Sequence, residues 1–595
     1  MDTLGAMNQP PIHARSSRCL PGRYLVLAIL LSTAWFVAAE TPPVVAGGAV
    51  ASAAPSATAA GIELLRAGGS ATDAAVAVAL ALAVVHPQAG NLGGGGFAVV
   101  RMGGEVAALD FRETAPAAAT RAMFLDASGT PRPDASLVGG LAVGVAGSPA
   151  GLFALHRRFG RLPWQQVVAP AIRLAEGFEV TDRLARELVA EKELLARFPG
   201  TAAVWLPGGV PPPAGSTMRL PRLAAVLRDY AARGPAALTE GPAAVAIAAA
   251  ATASGGRLTV GDLAAYRPVW REPLRFRAFG WEIASMPLPS SGGIILAQTF
   301  GMLERRHWSR FPPASAERLH LLAEVWRRAF ADRFLLGDPS TALAGPEQLL
   351  APPWLDARAA SIDLERATPS TSVRPWSQAR PESAETTHLS VVDAAGDAVA
   401  LTTTLNGSFG SGVLVPELQI LLNNEMDDFA TAPGRPNLYG LVQGEANAVG
   451  PGKRMLSSMS PTVAWRAGEV LALGSPGGSR IPTATAQVLL AVLVDGAPIQ
   501  DAVARGRIHH QWQPDELLVE EATLDQATLT ALERRGHRVA LRPRLGEVHA
   551  VSRDAQGHLE SGADPRGPGA GSVLPSLARS AAGGPPSTGP VGRLE

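Results

Sequence analysis

Two threonines at the open end of a predicted β-hairpin are the side chains with the clearest capacity for covalent chemistry. Residues 388–393 and 397–404 have the pattern of two strands, and the three residues between them favour a turn. Antiparallel pairing about that turn would place Thr404 opposite Thr386. Threonine also favours strands because of its branched side chain, so the pattern by itself is compatible with a purely structural role.

A free α-amine would make Thr386 a nucleophile that carries its own base. The preceding segment, residues 367–385, contains three prolines among polar residues and has no apolar periodicity, so we expect it to be exposed and cleavable. Cleavage before Thr386 would create an α-amine with a pKa of about 8, which can accept the hydroxyl proton directly or through water. His388 shares a strand face with Thr386 and is the competing candidate for the base.

Several other catalytic motifs are missing from the sequence. It contains no complete Gly-x-Ser-x-Gly elbow and no His-Glu-x-x-His motif, which argues against a serine hydrolase of that type and against a zinc peptidase. The glycine loop at residues 91–97 does not match a nucleotide-binding fingerprint, and we interpret it as a tight turn. We therefore expect neither a metal nor a cofactor.

Three polar segments could complete a site around the threonines. Residues 423–429 carry three carboxylates directly after an apolar stretch, and residues 457–461 are rich in serine and follow two basic residues. Both segments are also compatible with solvated loops. Residues 474–479 form a glycine-rich turn between a predicted strand, 470–473, and a predicted helix, 482–494. Backbone N–H groups at such a helix start can converge on a developing oxyanion.

The composition is that of a globular protein with balanced charge. Of the 595 residues, 47% are hydrophobic and 17% are charged, and 52 Lys and Arg residues balance 52 Asp and Glu residues. Nucleic-acid binding depends on a clustered excess of positive charge, so this balance argues against a nucleic-acid partner. The single cysteine, Cys19, excludes a disulfide within one chain.

Both ends of the chain differ from its body. Three arginines precede an apolar run at residues 24–39, which is shorter than a membrane-spanning helix and predicts a signal peptide over residues 1–39. We therefore expect export to the periplasm or secretion, with an uncleaved membrane anchor as the alternative. Residues 567–595 are rich in Gly, Pro, Ser and Ala, which predicts a flexible tail and a folded body that ends at Arg566.

A deeply buried helix is predicted over residues 71–85. This segment is almost entirely Ala, Val and Leu, so every face of the helix would be apolar. Thr72 or Asp73 is the expected N-cap, and the proline at position 87 ends the helical pattern.

In their order along the chain, these motifs resemble those of the γ-glutamyltranspeptidase family. The resemblance covers residues 45–566 and leaves out only the leader and the tail. Its motifs lie at residues 86–87, 91–97, 110–113, 290–293, 386–393, 404–406, 423–429, 457–461, 474–480, 509–512 and 564–566. So many motifs in one order are a specific signal.

The resemblance implies an α/β (α+β) fold, the four-layer αββα sandwich of the N-terminal-nucleophile hydrolases. It also implies a precursor that cuts itself between Glu385 and Thr386. The large fragment would comprise residues 40–385, and the catalytic core of the small fragment would comprise residues 386–566. The two would stay together as a heterodimer because separation would expose their shared core.

The catalytic roles follow from the same resemblance. Thr386 would be the nucleophile, and its own amine would be the base. Thr404 would form a hydrogen bond with Thr386. The backbone amides of Gly477 and Gly478 would stabilise the tetrahedral oxyanion.

The resemblance also implies a binding site for a zwitterionic donor. Arg112 would bind the donor's α-carboxylate with help from Ser457 and Ser458, because a planar guanidinium suits a carboxylate. The α-ammonium would be bound by oxygen atoms of three residues, namely Glu425, Asp428 and, through its carbonyl, Asn406. A lid loop at residues 433–441, including Tyr439, would cover the donor.

The reaction implied is a transfer in two steps. Thr386 would attack the γ-amide of glutathione or a related donor, and water, an amino acid or a dipeptide would then take the γ-glutamyl group. Two alternatives remain open. One is a glutaryl-cephalosporin-type acylase of the same fold, which Asp428 argues against because those substrates lack an ammonium group. The other is an unprocessed exported protein that binds γ-glutamyl compounds without turnover.

Overall fold

The structure describes three stretches of the chain. It is a computed structural model that describes residues 47–374, 386–432 and 443–576. Four predicted features lie outside these residues, namely the leader at residues 1–39, the residue before the cut, Glu385, the lid loop at residues 433–441 with Tyr439, and the last part of the tail, residues 577–595. Within the described stretches, no helix combines the length and the apolar character that crossing a membrane requires.

Helices and strands alternate through the described residues. The helices are α1 Pro55–Arg66, α2 Ala71–Val85, α3 Ser148–Phe159, α4 Trp164–Glu176, α5 Asp182–Ala190, α6 Lys192–Ala196, α7 Pro199–Trp205, α8 Pro221–Arg233, α9 Ala236–Thr239, α10 Gly241–Ala253, α11 Val260–Ala265, α12 Gly292–Arg305, α13 Ala316–Arg333, α14 Pro346–Leu349, α15 Pro352–Ala360, α16 Ile481–Leu493, α17 Ile499–Ala504 and α18 Gln526–Arg534. The strands are β1 Gly48–Ser52, β2 Gly95–Met102, β3 Glu105–Phe111, β4 Phe178–Glu179, β5 Thr217–Met218, β6 Val269–Arg271, β7 Leu274–Ala278, β8 Trp281–Ser285, β9 Thr387–Asp393, β10 Ala398–Thr404, β11 Leu414–Val415, β12 Ile420–Leu421, β13 Thr462–Arg466, β14 Glu469–Gly474, β15 Ile508–His509, β16 Leu517–Glu520, β17 Val539–Arg542, β18 His549–Arg553, β19 Leu559–Ala563 and β20 Ala570–Leu574.

Two antiparallel sheets face each other. One has seven strands in the order β20-β1-β9-β10-β2-β3-β6, and the other has six strands in the order β19-β18-β14-β13-β8-β7. Buried side chains from both sheets meet in one hydrophobic cluster, which includes Phe97 and Ala400 of the first sheet and Val463 and Ala472 of the second. Packing of these apolar faces holds the sheets together.

Helices cover the outer face of each sheet. Side chains of α1 and α2 share a hydrophobic cluster with Val100 and Leu401 of the seven-stranded sheet. Side chains of α12, α13 and α16 share another cluster with Leu471 and Leu473 of the six-stranded sheet. Because successive strand residues point to opposite faces, each inner strand contributes to two clusters. The predicted mixed α/β fold is confirmed.

The apolar helix predicted over residues 71–85 is α2, with the predicted limits but a different N-cap. The N-cap is Ser70, whose hydroxyl accepts a hydrogen bond from the Asp73 N–H at 3.2 Å. The Asp73 carboxylate in turn accepts from the Ser70 N–H at 2.8 Å. This reciprocal capping box makes Ser70 the N-cap of the helix, and not Thr72 or Asp73 as predicted.

The predicted hairpin is formed by β9 and β10, in the predicted register. Ala398 lies opposite Val392, and Thr403 lies opposite Thr387. The hairpin occupies the centre of the seven-stranded sheet, where β1 pairs with β9 and β2 pairs with β10. Both neighbours come from the part of the chain before residue 375, so the threonines at the hairpin's open end are held from both sides.

The prediction that the folded body ends at Arg566 is wrong. Ala570–Leu574 form β20, which pairs antiparallel with β1 at the edge of the seven-stranded sheet. Small residues allow this strand to approach its neighbours closely. A Cβ at Gly571 would lie 2.8 Å from Ser561 Oγ, closer than atoms pack. Residues 570–574 of the predicted tail therefore form a strand, and residues 577–595 lie outside the described residues.

Removal of β20 should destabilise the protein. A chain that ends at Arg566 loses the ladder with β1, and we expect its Tm to fall by about 5 °C. A chain that ends at Ser576 keeps the strand and is the matched control, with a Tm equal to that of the full chain. Thermal unfolding followed by circular dichroism measures both. Equal Tm values for the two truncations would show that β20 adds nothing to stability.

The segment before the predicted cut is also better anchored than its composition suggested. The prediction of an exposed segment over residues 367–385 is confirmed only in part for its described residues, 367–374. Residues 369, 371, 372 and 374 are exposed, whereas Ser370 and Val373 are buried. The Trp512 Nε1–H donates to Ser370 O at 2.9 Å, and the Ser370 N–H donates to an Asp515 carboxylate oxygen at 2.8 Å. Polar contacts with distant parts of the chain, which leave no periodic pattern, hold this segment.

Candidate active site

The two predicted threonine hydroxyls meet at the open end of the β9–β10 hairpin. Thr386 Oγ1 and Thr404 Oγ1 are 3.5 Å apart, and both residues are buried. The Asn406 N–H donates to Thr404 Oγ1 at 2.8 Å. Because a backbone donor occupies one lone pair of Thr404 Oγ1, the hydroxyl proton can be directed at Thr386. Thr404 is therefore placed to orient the Thr386 hydroxyl.

His388, the competing candidate for the base, is engaged elsewhere. One ring nitrogen lies 2.8 Å from Thr402 Oγ1 and the other lies 2.9 Å from Ser390 Oγ. Burial lowers the pKa of His388 well below its usual value, so the imidazole is a poor proton acceptor. The structure therefore argues against His388 as the base.

Arg112 lies at the centre of a buried cluster of carboxylates. It follows β3 directly, and its guanidinium forms ion pairs with Glu425 and Asp428, both from the turn Glu425–Asp428. Glu113 lies 3.6 Å from Arg112 Nη1. The groups predicted to bind a carboxylate and an ammonium are thus side by side and neutralise each other. A zwitterionic ligand would replace their mutual contacts with one contact for each of its charges.

Burial changes the acidity of this cluster. It raises the pKa of Glu113 to about 7, against the attraction of Arg112, and it also raises the pKa of Glu425 and of Asp428. For Arg112, burial acts to lower the pKa, but the surrounding carboxylates raise it above its ordinary value. Three carboxyl groups around one guanidinium favour the arrival of another cation, such as an ammonium group.

Ser457 and Ser458 face the same cavity. Ser457 Oγ accepts a hydrogen bond from the Met459 N–H at 3.1 Å, and Ser457 O accepts one from Ser291 Oγ at 2.7 Å. Ser458 Oγ is buried and has no hydrogen-bond partner among the residues that the structure describes. A buried hydroxyl without a partner is costly, so a ligand that accepts its proton would be stabilised.

The glycine turn after β14 reaches the cavity through Gly478. Gly477 and Gly478 have φ angles of 125° and 54°, a region that other residues rarely adopt. Gly478 begins the short helical turn Gly478–Arg480, which leads into α16. The first N–H groups of a helical segment have no acceptor within it, so they are available to an oxyanion.

One small cavity brings most of the predicted site residues together. Eight of them line it, namely Thr386, Thr404, Arg112, Glu425, Asp428, Ser457, Ser458 and Gly478. Asn406 and Gly477 do not line the cavity, although each lies within two residues of one that does. The other three lining residues, Arg333, Met459 and Ile481, were not among the predicted site residues.

Arg333 was missed because nothing local marks it. A basic residue in the last turn of a helix such as α13 is ordinary, since it complements the helix dipole. Glu113 was part of a recognised motif, but the sequence assigned it no role. Only the packing of α13 against the cavity shows that Arg333 belongs to the site.

One histidine and carboxylate cluster in the described stretches lies outside this cavity. Ligand-type atoms of His320, Glu324 and His537 are within 4.8 Å of one another. The Glu324 carboxylate already forms ion pairs with Arg327 and Arg328, and the two imidazoles lie 2.7 Å apart, within hydrogen-bond distance. Two guanidinium groups on the carboxylate oppose a bound cation, so we assign this cluster a structural role.

A hydroxyl nucleophile oriented by a second hydroxyl, next to amides that can hold an oxyanion, defines an acyl-transferring hydrolase. Comparison with known proteins agrees with that class. The model of the gamma-glutamyltranspeptidase family matches residues 57–574, and the chain belongs to this family.

The chain is similar to characterised members along most of its length. It is 43% identical over 565 residues to the glutathione hydrolase proenzyme of Escherichia coli (strain K12), covering 91% of this chain and 97% of that protein. The glutathione hydrolase proenzyme of Pseudomonas aeruginosa is 42% identical over 536 residues, covering 89% and 95%. A solved structure, cephalosporin acylase from Bacillus halodurans, has a TM-score of 0.78 at 27% identity and covers 89% of this chain and 96% of its own.

Proposed function

We propose that this chain is the precursor of a γ-glutamyltransferase and glutathione hydrolase, with Thr386 as its nucleophile. The observation that carries the proposal is the position of the Thr386 hydroxyl, 3.5 Å from that of Thr404 in a cavity that also contains Arg112 and Asp428. The nucleophile and the ion-paired groups suited to an amino-acid head therefore share one enclosure. The names and identities of the two relatives support the choice of substrate.

The first half of the reaction acylates Thr386. Its α-amine, free after cleavage, removes the hydroxyl proton, and Oγ1 attacks the γ-carbonyl carbon of the donor. The C–N bond of the amide breaks, and the departing amine takes up a proton. The amides of Gly477 and Gly478 stabilise the negative oxygen of the tetrahedral intermediate. The product is a γ-glutamyl ester on Thr386.

The second half releases the γ-glutamyl group. Water attacks the ester carbonyl and yields glutamate, or the amine of an amino acid or dipeptide attacks and yields a new γ-glutamyl peptide. In both cases the attacking group loses a proton to the α-amine, and Thr386 Oγ1 regains one as the ester bond breaks.

Removing the Thr404 hydroxyl should slow this chemistry while leaving the fold intact. Thr404→Val keeps the shape of the side chain but cannot orient the Thr386 hydroxyl, so we expect kcat for γ-glutamyl-p-nitroanilide to fall about 10- to 100-fold. Thr404→Ser keeps the hydroxyl and should stay within about threefold of the wild type. Steady-state kinetics on cleaved enzyme measures both. Equal kcat values for the two variants would show that the hydroxyl is not used.

An acylase acting on glutaryl-cephalosporin side chains is the second candidate function. The similarity to a cephalosporin acylase structure favours it. The cluster of Glu113, Glu425 and Asp428 opposes it, because three carboxyl groups would lie beside a substrate that brings a carboxylate and no ammonium. An exported, uncut protein that binds γ-glutamyl compounds without turnover is the remaining alternative.

We also propose that the precursor cuts itself between Glu385 and Thr386 and that the resulting fragments form a heterodimer with one αββα sandwich. The fragments would be residues 40–385 and 386–595. The sheet order supports their association, because β1 and β2 of the large fragment flank β9 and β10 of the small one. The basic and apolar pattern of residues 1–39 supports a signal peptide and a periplasmic or secreted location.

One experiment tests processing and activity together. Intact mass and N-terminal sequencing of the purified protein should show two fragments, the smaller one starting at Thr386. The cleaved enzyme should hydrolyse γ-glutamyl-p-nitroanilide at least about tenfold faster than glutaryl-p-nitroanilide, because only the former carries an ammonium for the acidic cluster. Preference for the glutaryl donor would favour the acylase, and a single uncut chain without turnover would favour the binding protein.

A further inference from the structure

Arg333 is a second guanidinium group in the wall of the catalytic cavity. Its side chain is buried at the end of α13, and it lines the cavity together with Thr386. Its Nε–H donates to Ser291 Oγ at 3.0 Å, and Nη1 donates to Gln443 Oε1 at 3.4 Å. These neutral partners fix the direction of the side chain but do not neutralise its charge.

The charge of Arg333 is unpaired in the described stretches of the chain. No Asp or Glu oxygen of these stretches lies within 4.0 Å of its nitrogen atoms, whereas Arg112 makes such contacts with three carboxylates. Burial lowers the pKa of Arg333 to about 10, and Asp428 opposes this effect only in part. Burying a cation without a counter-ion is costly. An anion that binds in the cavity would neutralise the charge of Arg333 and remove this cost.

The groups that hold Arg333 also hold the backbone of two donor-site residues. Ser291 Oγ donates to Ser457 O at 2.7 Å, and Gln443 Nε2 donates to Asp428 O at 2.8 Å. Arg333, Ser457 and Asp428 are therefore parts of one hydrogen-bonded frame. A ligand bound to this frame meets Arg333 in a fixed position, which reduces the entropy lost on binding.

We propose that Arg333 binds the α-carboxylate of the γ-glutamyl donor jointly with Arg112, an inference that rests on the proposed function. Arg112 is shared among carboxylates before the donor arrives, so its charge alone is a weak attraction for one more. Arg333 brings a positive charge that is not shared. When the donor's ammonium occupies Glu425 and Asp428, its carboxylate lies between a released Arg112 and an unpaired Arg333.

Glutathione carries a second carboxylate, on its glycine, that could also be the partner of Arg333. The α-carboxylate is the better match because Arg333 shares the cavity with the groups suited to the amino-acid head. Anilide donors separate the two sources, since γ-glutamyl-p-nitroanilide has an α-carboxylate but no glycine. 4-Aminobutyryl-p-nitroanilide has the ammonium but no carboxylate at all.

The test is the kinetics of Arg333→Gln and Arg333→Lys with these anilides and with glutathione. For γ-glutamyl-p-nitroanilide, Arg333→Gln should raise KM about tenfold or more while kcat changes less than about threefold, and Arg333→Lys should lie in between. For 4-aminobutyryl-p-nitroanilide, the wild type and Arg333→Gln should have the same kcat/KM within about twofold. Arg305→Gln, which breaks an exposed ion pair with Asp356, is the matched control and should leave all values unchanged.

Four other outcomes would contradict the assignment of Arg333 to the donor's α-carboxylate. An unchanged KM for γ-glutamyl-p-nitroanilide in both variants contradicts it, and equal losses with both anilides point to a structural role. A raised KM with glutathione alone assigns Arg333 to the glycine carboxylate. Loss of self-cleavage in both variants, with wild-type Tm, would make Arg333 part of the processing machinery. If Arg333→Gln does not fold, Arg333→Lys decides. A wild-type enzyme that does not turn over γ-glutamyl-p-nitroanilide contradicts the proposed function itself.

Discussion

The Thr386→Ala variant is expected to remain a single uncut polypeptide without γ-glutamyl transfer. Alanine removes the hydroxyl that attacks both the chain's own peptide bond and the donor, and without cleavage the α-amine stays bound in a peptide. We expect kcat/KM for γ-glutamyl-p-nitroanilide to fall by at least about 10⁴-fold, as when a covalent nucleophile is removed from other hydrolases. Intact mass, N-terminal sequencing and the anilide assay measure the two effects.

Two further variants distinguish loss of the Thr386 hydroxyl from a general disturbance of the site around it. Thr386→Ser keeps a hydroxyl at the same place and should still be cut, although more slowly. Thr387→Val changes the neighbouring threonine, whose Oγ1 is buried and makes no hydrogen bond among the described residues, and it should behave like the wild type. Cleavage of Thr386→Ala at the same bond would rule out Thr386 as the attacking group. If Thr387→Val loses cleavage and activity while Thr386→Ala keeps them, the nucleophile is Thr387 and not Thr386.

Asp428→Asn should lose its preference for amino-acid donors. The carboxylate of Asp428 is buried next to Arg112 and supplies part of the negative charge offered to the donor's ammonium. An amide of the same shape supplies no net charge, and loss of one buried charged contact costs about 2–4 kcal/mol. We therefore expect kcat/KM for γ-glutamyl-p-nitroanilide to fall about 30- to 1,000-fold. Glutaryl-p-nitroanilide, which has no ammonium, should lose less than about threefold.

The ratio between the two donors is the decisive quantity for Asp428. Asp427→Asn is the matched control, because Asp427 is the adjacent buried carboxylate and accepts a hydrogen bond from Ser136 Oγ at 2.6 Å, outside the cavity. The control should leave the donor ratio as in the wild type. If Asp428→Asn reduces activity on both anilides by the same factor, Asp428 supports the fold of the site and does not recognise the ammonium.

Local patterns in the sequence predicted the elements that carry the nucleophile. The register of the β9–β10 hairpin followed from the alternation of side chains and the position of one turn, so it placed Thr404 opposite Thr386 without further information. The limits of α2 followed from an unbroken apolar run. In both cases the information lies within about twenty residues of chain, where periodicity is a direct consequence of backbone geometry.

Features that depend on distant contacts could not be predicted in this way. Composition suggested a tail from residue 567, but residues 570–574 form β20, which pairs with β1 and in which Gly571 packs closely against Ser561 of β19. The resemblance implied that Arg112 and Asp428 lie in one site and bind opposite charges of the donor. It did not predict that they form an ion pair with each other. This pair joins the residue after β3 to a turn more than 300 residues further along the chain. Arg333 carries no local signal, because its role arises only from where α13 packs.

The strand order of the seven-stranded sheet determines how the protein can refold after cleavage. If the chain is cut before Thr386 as proposed, β9, β10 and β20 of that sheet would belong to one fragment, and β1, β2, β3 and β6 would belong to the other. Neither fragment can complete the sheet alone, so reassembly after full unfolding becomes a second-order reaction that depends on protein concentration. The uncut chain folds in a first-order reaction. The mature enzyme would thus persist through a high barrier to unfolding and not through ready refolding, which makes its durability kinetic.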